Sequence, residues 1–275
     1  MHRNPHSAFP SGLVQWLAGQ LPRPAGSMVI MGISGLQGSG KSTLAAQVVT
    51  AVRQDGLQAA TLSLDDVYLT AAQRRQLARQ VHPLLATRGP PGTHDLPLLE
   101  RVLCDLSAGR PTALPRFDKL ADDRLPETAW PRVDTPLDLL VIEGWMLGAL
   151  AQDAAALRTP VNRLEVQEDP DGRWRHWCNA QLDQHYPAVW KRLDMLAFLE
   201  PPCWDVILRW RGEQEASLAL KQGRKGMEPG ELARFVGHFE RTSRQILADL
   251  PGRADVRIRL GPQREVVGCH RQCLR

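Results

Sequence analysis

Apolar positions along this chain alternate between two periods. Mostly apolar runs at 28–33, 59–64, 137–142 and 195–199 are short enough for strands and predict ones buried on both faces, and 255–260 reads as a last short strand. Between them the apolar residues recur at helical spacing, first over 44–52, a helix that ends at Gly56. Thr70-Ala71-Ala72-Gln73 is a capping-box signature opening a second helix to about Val81. Asp95 caps a third, whose face is Leu99, Val102, Leu103 and Leu106, closed by Gly109. Asn179, Leu182, Tyr186 and Trp190 share one helical face that Pro187 bends or ends. Residues 204–219 read as a helix, and the stretch after Pro229 is the most periodic, with Leu232, Phe235, Val236, Phe239, Ile246 and Leu250 together. Strands separated by helices predict an α/β fold, three layers α/β/α with a mostly parallel central sheet of about five strands.

Where the periodicity fails, the chain is punctuated by proline and glycine. Residues 1–27 form an N-terminal arm around one amphipathic stretch at 13–17, and the domain proper spans 28–262. Two polar loops, 82–95 and 110–136, and a glycine-flanked segment at about 209–227 that could close as a lid, interrupt it. Residues 263–275 read as a loose tail.

Composition narrows the function classes. With 43% hydrophobic residues in 275, the chain can bury a sizeable core, so disordered and fibrous classes are excluded. Its 34 basic and 30 acidic residues leave a dispersed net charge of +4, too small to indicate a nucleic acid or a membrane as partner. No apolar run approaches the roughly 18 residues of a membrane-spanning helix, and residues 1–10 lack a signal-like apolar stretch, so a cytoplasmic protein is expected. Five scattered cysteines suit reduced thiols better than a disulfide framework, and Cys269, His270 and Cys273 do not close a zinc site.

The chemistry is concentrated at strand ends. Gly35-Leu36-Gln37-Gly38-Ser39-Gly40-Lys41-Ser42 matches G-x-x-x-x-G-K-[S/T] between a strand and a helix, the context that motif requires. In a P-loop NTPase such glycines let backbone N–H groups wrap a phosphate, Lys41 reaches the outer phosphates of ATP, and the Ser42 hydroxyl ligates Mg²⁺. Gly35, Gln37, Gly38, Ser39, Gly40, Lys41, Ser42 and Thr43 are therefore the expected nucleotide contacts. Glu143, ending the third strand, is the natural acidic partner of the metal. Asp65 and Asp66 end the neighbouring strand, where a carboxylate can accept the proton of an attacking hydroxyl. Adjacent acids alternate faces on a strand, so one is expected to face the site while the other turns the chain. Cations for an anionic acceptor come from Arg88, from Arg116, Lys119 and Arg124, and from Arg209, Arg211, Arg224 and Lys225 in the lid. Only five basic residues are lysines, and Lys41, Lys119 and Lys225 fall in these segments.

Together these segments resemble one family. The phosphate loop, Ser63-Leu64-Asp65-Asp66-Val67-Tyr68-Leu69-Thr70, His82-Pro83-Leu84-Leu85 with Arg88-Gly89 and Pro91-Gly92-Thr93-His94-Asp95, Pro115-Arg116-Phe117-Asp118-Lys119, and Glu143-Gly144-Trp145-Met146-Leu147-Gly148 are similar to the plant- and fungal-type D-glycerate 3-kinases. The resemblance covers about residues 28–260 and places the chain beside P-loop kinases such as uridine kinase, pantothenate kinase and phosphoribulokinase. It implies ATP- and Mg²⁺-dependent transfer of the γ-phosphate to the 3-hydroxyl of a small molecule, D-glycerate, giving 3-phosphoglycerate. It implies Asp65 as base, with Lys41, Glu143 and Arg224 assisting, and Asp66, Tyr68, Arg88, His94, Asp95, Lys119 and Arg124 around the acceptor. Two departures stand out. Val67 replaces a usual aromatic, which predicts looser packing beneath Tyr68, and Asp122-Asp123-Arg124 replaces Gly-Asp-Arg, which predicts an altered turn. A kinase for pantothenate or a nucleoside, or a nucleotide-dependent switch or assembly chaperone, are the alternatives; no guanine-reading Asn-Lys-x-Asp is present to support the switch.

Overall fold

The computed structural model describes residues 8–22, 26–222 and 226–272, the backbone alone over 217–222. Its strands are β1 (Val29–Gly35), β2 (Ala59–Ser63), β3 (Leu139–Gly144), β4 (Met195–Glu200), β5 (Val256–Leu260) and β6 (Val266–Arg271). They form one sheet in the order β6-β5-β4-β1-β3-β2. Every neighbouring pair is parallel except β5 and β6. β1 lies near the middle and is buried along its whole length, as is β3, because both faces are covered.

An aspartate in front of three strands pins the register. Asp138 accepts from Gln58 N, Asp194 from Ile30 N and Asp255 from Leu196 N, each at 2.7 Å. Each carboxylate thus satisfies a backbone N–H of the adjacent strand where the ladder has just begun.

Flanking the sheet are α1 (Ser11–Gly19), α2 (Lys41–Gln54), α3 (Ala71–Gln80), α4 (Leu96–Ser107), α5 (Arg163–Glu168), α6 (Arg173–Gln184), α7 (Tyr186–Trp190), α8 (Asp205–Gln222) and α9 (Pro229–Asp249). The capping box of Thr70 and Gln73 and the Asp95 cap form as the sequence predicts. The helical face from Asn179 to Trp190 is split at His185 into α6 and α7, with Pro187 in the first turn of α7. In the arm, Phe9 and Gln47 exchange two hydrogen bonds of 2.9 Å, holding the chain ahead of α1 against α2. Residues 110–136 contain two short antiparallel ladders, Thr112–Ala113 with Arg132–Val133 and Phe117–Asp118 with Asp123–Arg124.

The sheet has six strands rather than about five, and the sixth comes from the segment expected to be a loose tail. Its turn carries none of the Asn-Gly or Asp-Gly signals that mark a hairpin. Arg264 instead takes the left-handed conformation itself, with φ 65°. Gly261 N donates to Glu265 O at 2.7 Å and closes the turn.

A buried ion pair ties α9 to α5. Arg241 donates to both Glu165 oxygens, at 2.8 and 2.6 Å, and to the carbonyls of Ala156 and Thr159. It thereby organises the irregular chain between β3 and α5.

Candidate active site

The phosphate loop leaves β1 at Gly35 and enters α2 at Lys41. Gly38 and Gly40 take φ of 77° and 94°, conformations an L side chain rarely adopts. At Gly38 a Cβ would also stand 2.8 Å from the Trp210 Cβ. No side chain caps α2, so its first N–H groups stay open to an anion. Lys41 Nζ donates to Leu36 O at 3.1 Å, folding the ammonium back over the loop. Burial pushes that ammonium below the ordinary lysine range, while the carboxylates of Glu143 and Asp65 pull it back up. The side chains of Gln37 and Ser39 are buried in the loop with no hydrogen-bond partner, and Thr43 follows on the first turn of α2.

Ser42 Oγ donates to Glu143 Oε1 at 2.9 Å, joining the start of α2 to the end of β3. A hydroxyl and a carboxylate are hard oxygen donors of the kind Mg²⁺ takes together with phosphate oxygens and water. Among the described residues no cluster of three His, Cys, Asp or Glu side chains offers a rival all-protein metal cage. The donor set fits Mg²⁺ at Ser42 and Glu143.

β2 ends at Ser63, whose hydroxyl accepts from Asp65 N at 3.2 Å and starts a 3₁₀ turn over Leu64–Val67. This turn, rather than strand alternation, sends the two acids apart. Asp65 accepts from the Tyr68 hydroxyl and from Lys119 Nζ, each at 2.6 Å. Burial alone would raise its carboxyl, but the Lys119 ammonium and the Tyr68 hydroxyl outweigh burial and hold it well below the usual range. Asp66 turns to the loop 110–136, accepting from Arg116 Nη1 at 3.1 Å and Phe117 N at 3.2 Å. Burial raises its carboxyl, against the pull of Arg116.

The acceptor loop 82–95 runs antiparallel to the chain after Asp66. Asp95 N donates to Val67 O and Leu69 N to Thr93 O, which sets Tyr68 opposite His94 with ring centroids 4.9 Å apart. Val67 is fully buried and Tyr68 nearly so, so the missing aromatic leaves no loosening beneath Tyr68. Gly92 takes φ 89°, and a Cβ there would lie 2.4 Å from the Trp177 ring. His94 is buried, and burial lowers its pKa to about 4 although Asp65 pulls the other way.

The other cations expected at the acceptor are already engaged. Arg124 donates to Asp95 Oδ2 at 2.8 Å, and Asp95 Oδ1 accepts from Leu98 N as the cap of α4. Arg88 is hydrogen-bonded to Asp122 Oδ1, and the buried Arg74 donates to Asp122 Oδ2 at 2.6 Å. Asp122 has φ 52°, so the turn keeps the left-handed geometry that glycine favours, and two arginines hold the aspartate in it. The site thus brings together Lys41, Ser42, Glu143, Asp65, Tyr68, His94 and Lys119. Asp66, Asp95 and Arg124 instead hold its loops to one another.

Of the lid, α8 carries residues 209–222; Arg224 and Lys225 lie outside the described residues. Arg211 donates to Glu215 at 3.1 Å, and Arg209 to Pro262 O. One residue near the site was not legible as such. Arg264 donates to Gly38 O at 2.7 Å and to Trp210 O, and pairs with Glu213 at 2.7 Å, strapping the phosphate loop to α8. No signal marked it within an apparent tail. Tyr186, on the helical face the sequence predicts with Asn179, Leu182 and Trp190, reaches the acceptor loop with its hydroxyl.

Residues 30–158 match the phosphoribulokinase / uridine kinase family. The chain is similar to the uncharacterized kinase mug58 of Schizosaccharomyces pombe, 34% identical over 79% of this chain and 80% of that one. It is 32% identical to a chloroplastic D-glycerate 3-kinase of Arabidopsis thaliana over 77% of its own length, and spans 46% of that longer protein. Among solved structures, D-glycerate 3-kinase from Cryptococcus neoformans superposes with a TM-score of 0.78 at 26% identity, covering 95% of this chain and 97% of that one. The phosphate loop opening α2 and these kinase relatives agree: the chain is a phosphotransferase and belongs to the phosphoribulokinase / uridine kinase family of P-loop kinases, in the group that includes the D-glycerate 3-kinases.

Proposed function

We propose that this protein transfers the γ-phosphate of ATP to the 3-hydroxyl of D-glycerate, giving ADP and 3-phosphoglycerate. The observation that carries the reading is Asp65, a half-buried carboxylate held between the Tyr68 hydroxyl and the Lys119 ammonium, close enough to Lys41 to feel its charge. Its acceptor identity draws on the two D-glycerate 3-kinases to which the chain is similar.

In this reading the loop from Gly35 to Ser42 grips the phosphates, and Lys41 turns from Leu36 O to the outer phosphates. Mg²⁺, when bound, spreads the negative charge of the phosphates. Asp65 accepts the proton of the 3-hydroxyl as its oxygen bonds to the γ-phosphorus and the bond to the bridging oxygen of ADP breaks. Lys119 has a second task. A carboxylate on the acceptor competes with Asp65 for this ammonium, and once Lys119 leaves, burial makes Asp65 a stronger base. Arg224 in the lid supplies charge to the transferring group, and closure excludes water that would hydrolyse ATP.

The test is acceptor-stimulated ADP release with D-glycerate, L-glycerate, pantothenate and uridine in parallel, with the phosphorylated product identified. Release with D-glycerate alone and 3-phosphoglycerate as product is expected. Release driven by pantothenate or uridine, or by none of the four, would overturn the reading.

A further inference from the structure

Both tyrosines of this chain spend their hydroxyls at the acceptor site. Tyr68 donates to Asp65. Tyr186, the first residue of α7, is completely buried, and its hydroxyl lies 2.7 Å from His94 Nδ1 and 2.8 Å from Gly92 N.

Counting protons assigns the directions. Gly92 N–H can only donate, so it takes one lone pair of the Tyr186 oxygen. If His94 carried its proton on Nδ1, that N–H would take the other lone pair, and the buried phenolic proton and the Nε2 lone pair would both lack partners. If Tyr186 donates to Nδ1, all three atoms of the junction are satisfied and only one group is left over, the Nε2–H. That atom is buried and without a partner. It belongs to a ring packed at a tilt against Tyr68, which holds Asp65, and close enough to Asp65 to feel its charge.

We propose that Tyr186 is a positioning residue: anchored by Gly92, it fixes the Nε2–H tautomer of His94, which donates a hydrogen bond to an oxygen of the acceptor. The donor is uncharged, because burial keeps the imidazole neutral at physiological pH. His94 therefore reads the position of an oxygen, while Lys119 supplies charge. The inference rests on the kinase reading and adds to it how the acceptor is oriented.

The experiment combines ¹⁵N-histidine NMR of the resting protein with kinetics on D-glycerate. His94, assigned by the signal lost in His94→Gln, should show protonated Nε2 and bare Nδ1; a protonated Nδ1 would overturn the assignment. Tyr186→Phe should shift His94 toward a tautomer mixture and raise the D-glycerate KM about tenfold, the loss of roughly one hydrogen bond, with the ATP KM nearly unchanged. His94→Gln retains a donor where Nε2 stands and should lose less than His94→Asn, a comparison that needs no change at Tyr186. Adding Tyr186→Phe to His94→Gln should raise the D-glycerate KM no further. An equal rise in both backgrounds would mean that Tyr186 is only scaffold. If wild type turns over no D-glycerate, the functional reading falls, while the NMR pattern still decides the tautomer.

Discussion

Lys119 Nζ sits 2.6 Å from Asp65 Oδ2, although 54 residues separate them in sequence. The pair joins the turn after β2 to the loop 110–136 and leaves the candidate base neutralised before the acceptor arrives. In the proposed mechanism the resting and reacting states of Asp65 differ in basicity.

Replacing Lys119 with Met should move the acid limb of the kcat/KM profile to higher pH. Asp65 must be ionised to act. In the wild type Lys119 depresses its folded pKa, so ionisation persists, and the pair's stability is lost only as pH falls well below the ordinary carboxylate range. Without Lys119, burial dominates and the limb should rise by about 1–3 units. An unmoved limb would separate Asp65 from the titration.

Asp65→Asn preserves shape and removes the base. The expected result is a fall in kcat of about 10²–10⁴, with ATP affinity measured by calorimetry nearly intact. Near-normal turnover would reassign the base.

Arg264→Gly tests the strap on the phosphate loop. Glycine suits the left-handed φ at that position, so the backbone should hold while the bonds to Gly38 O and Glu213 are lost. ATP should bind about tenfold more weakly, matching roughly one lost charge-assisted bond, with the melting temperature little changed. Unchanged ATP affinity would leave the strap without influence on the site.

Arg241→Ala should destabilise the fold by about 3–5 kcal/mol in urea unfolding, because Glu165 would remain buried without its partner. A loss below about 1 kcal/mol would show that the pair is not coupled to folding of the segment after β3.

The alternation of apolar runs and helical faces carried most of the architecture, since β1, β3 and β4 read as largely apolar segments while β5 alternates apolar and arginine positions. The phosphate loop was equally legible, because its glycines and lysine act through local backbone geometry. What escaped notice depends on partners distant in sequence. Asp66 and Asp65 are neighbours with different surroundings, separated by a 3₁₀ turn that strand logic did not anticipate. Asp122 takes the left-handed turn a glycine would favour while Arg74 and Arg88 converge on its carboxylate. Arg264 lies in a segment whose single strand is half exposed, so no apolar pattern announced it.

The antiparallel strand β6 also bears on solubility. β5 is buried at Val256, Ile258 and Leu260, and without β6 its outer N–H and C=O groups would form an open apolar edge of the kind that recruits another chain. β6 replaces that edge with a partly exposed strand, irregular between Val266 and Gly268 and ending in His270 and Arg271, which is a poor template for further pairing. A protein cut after Pro262 should self-associate as its concentration rises, visible by light scattering, and a monodisperse truncated chain would contradict this. By this argument the hairpin that reaches the phosphate loop should also keep one molecule from pairing with the next.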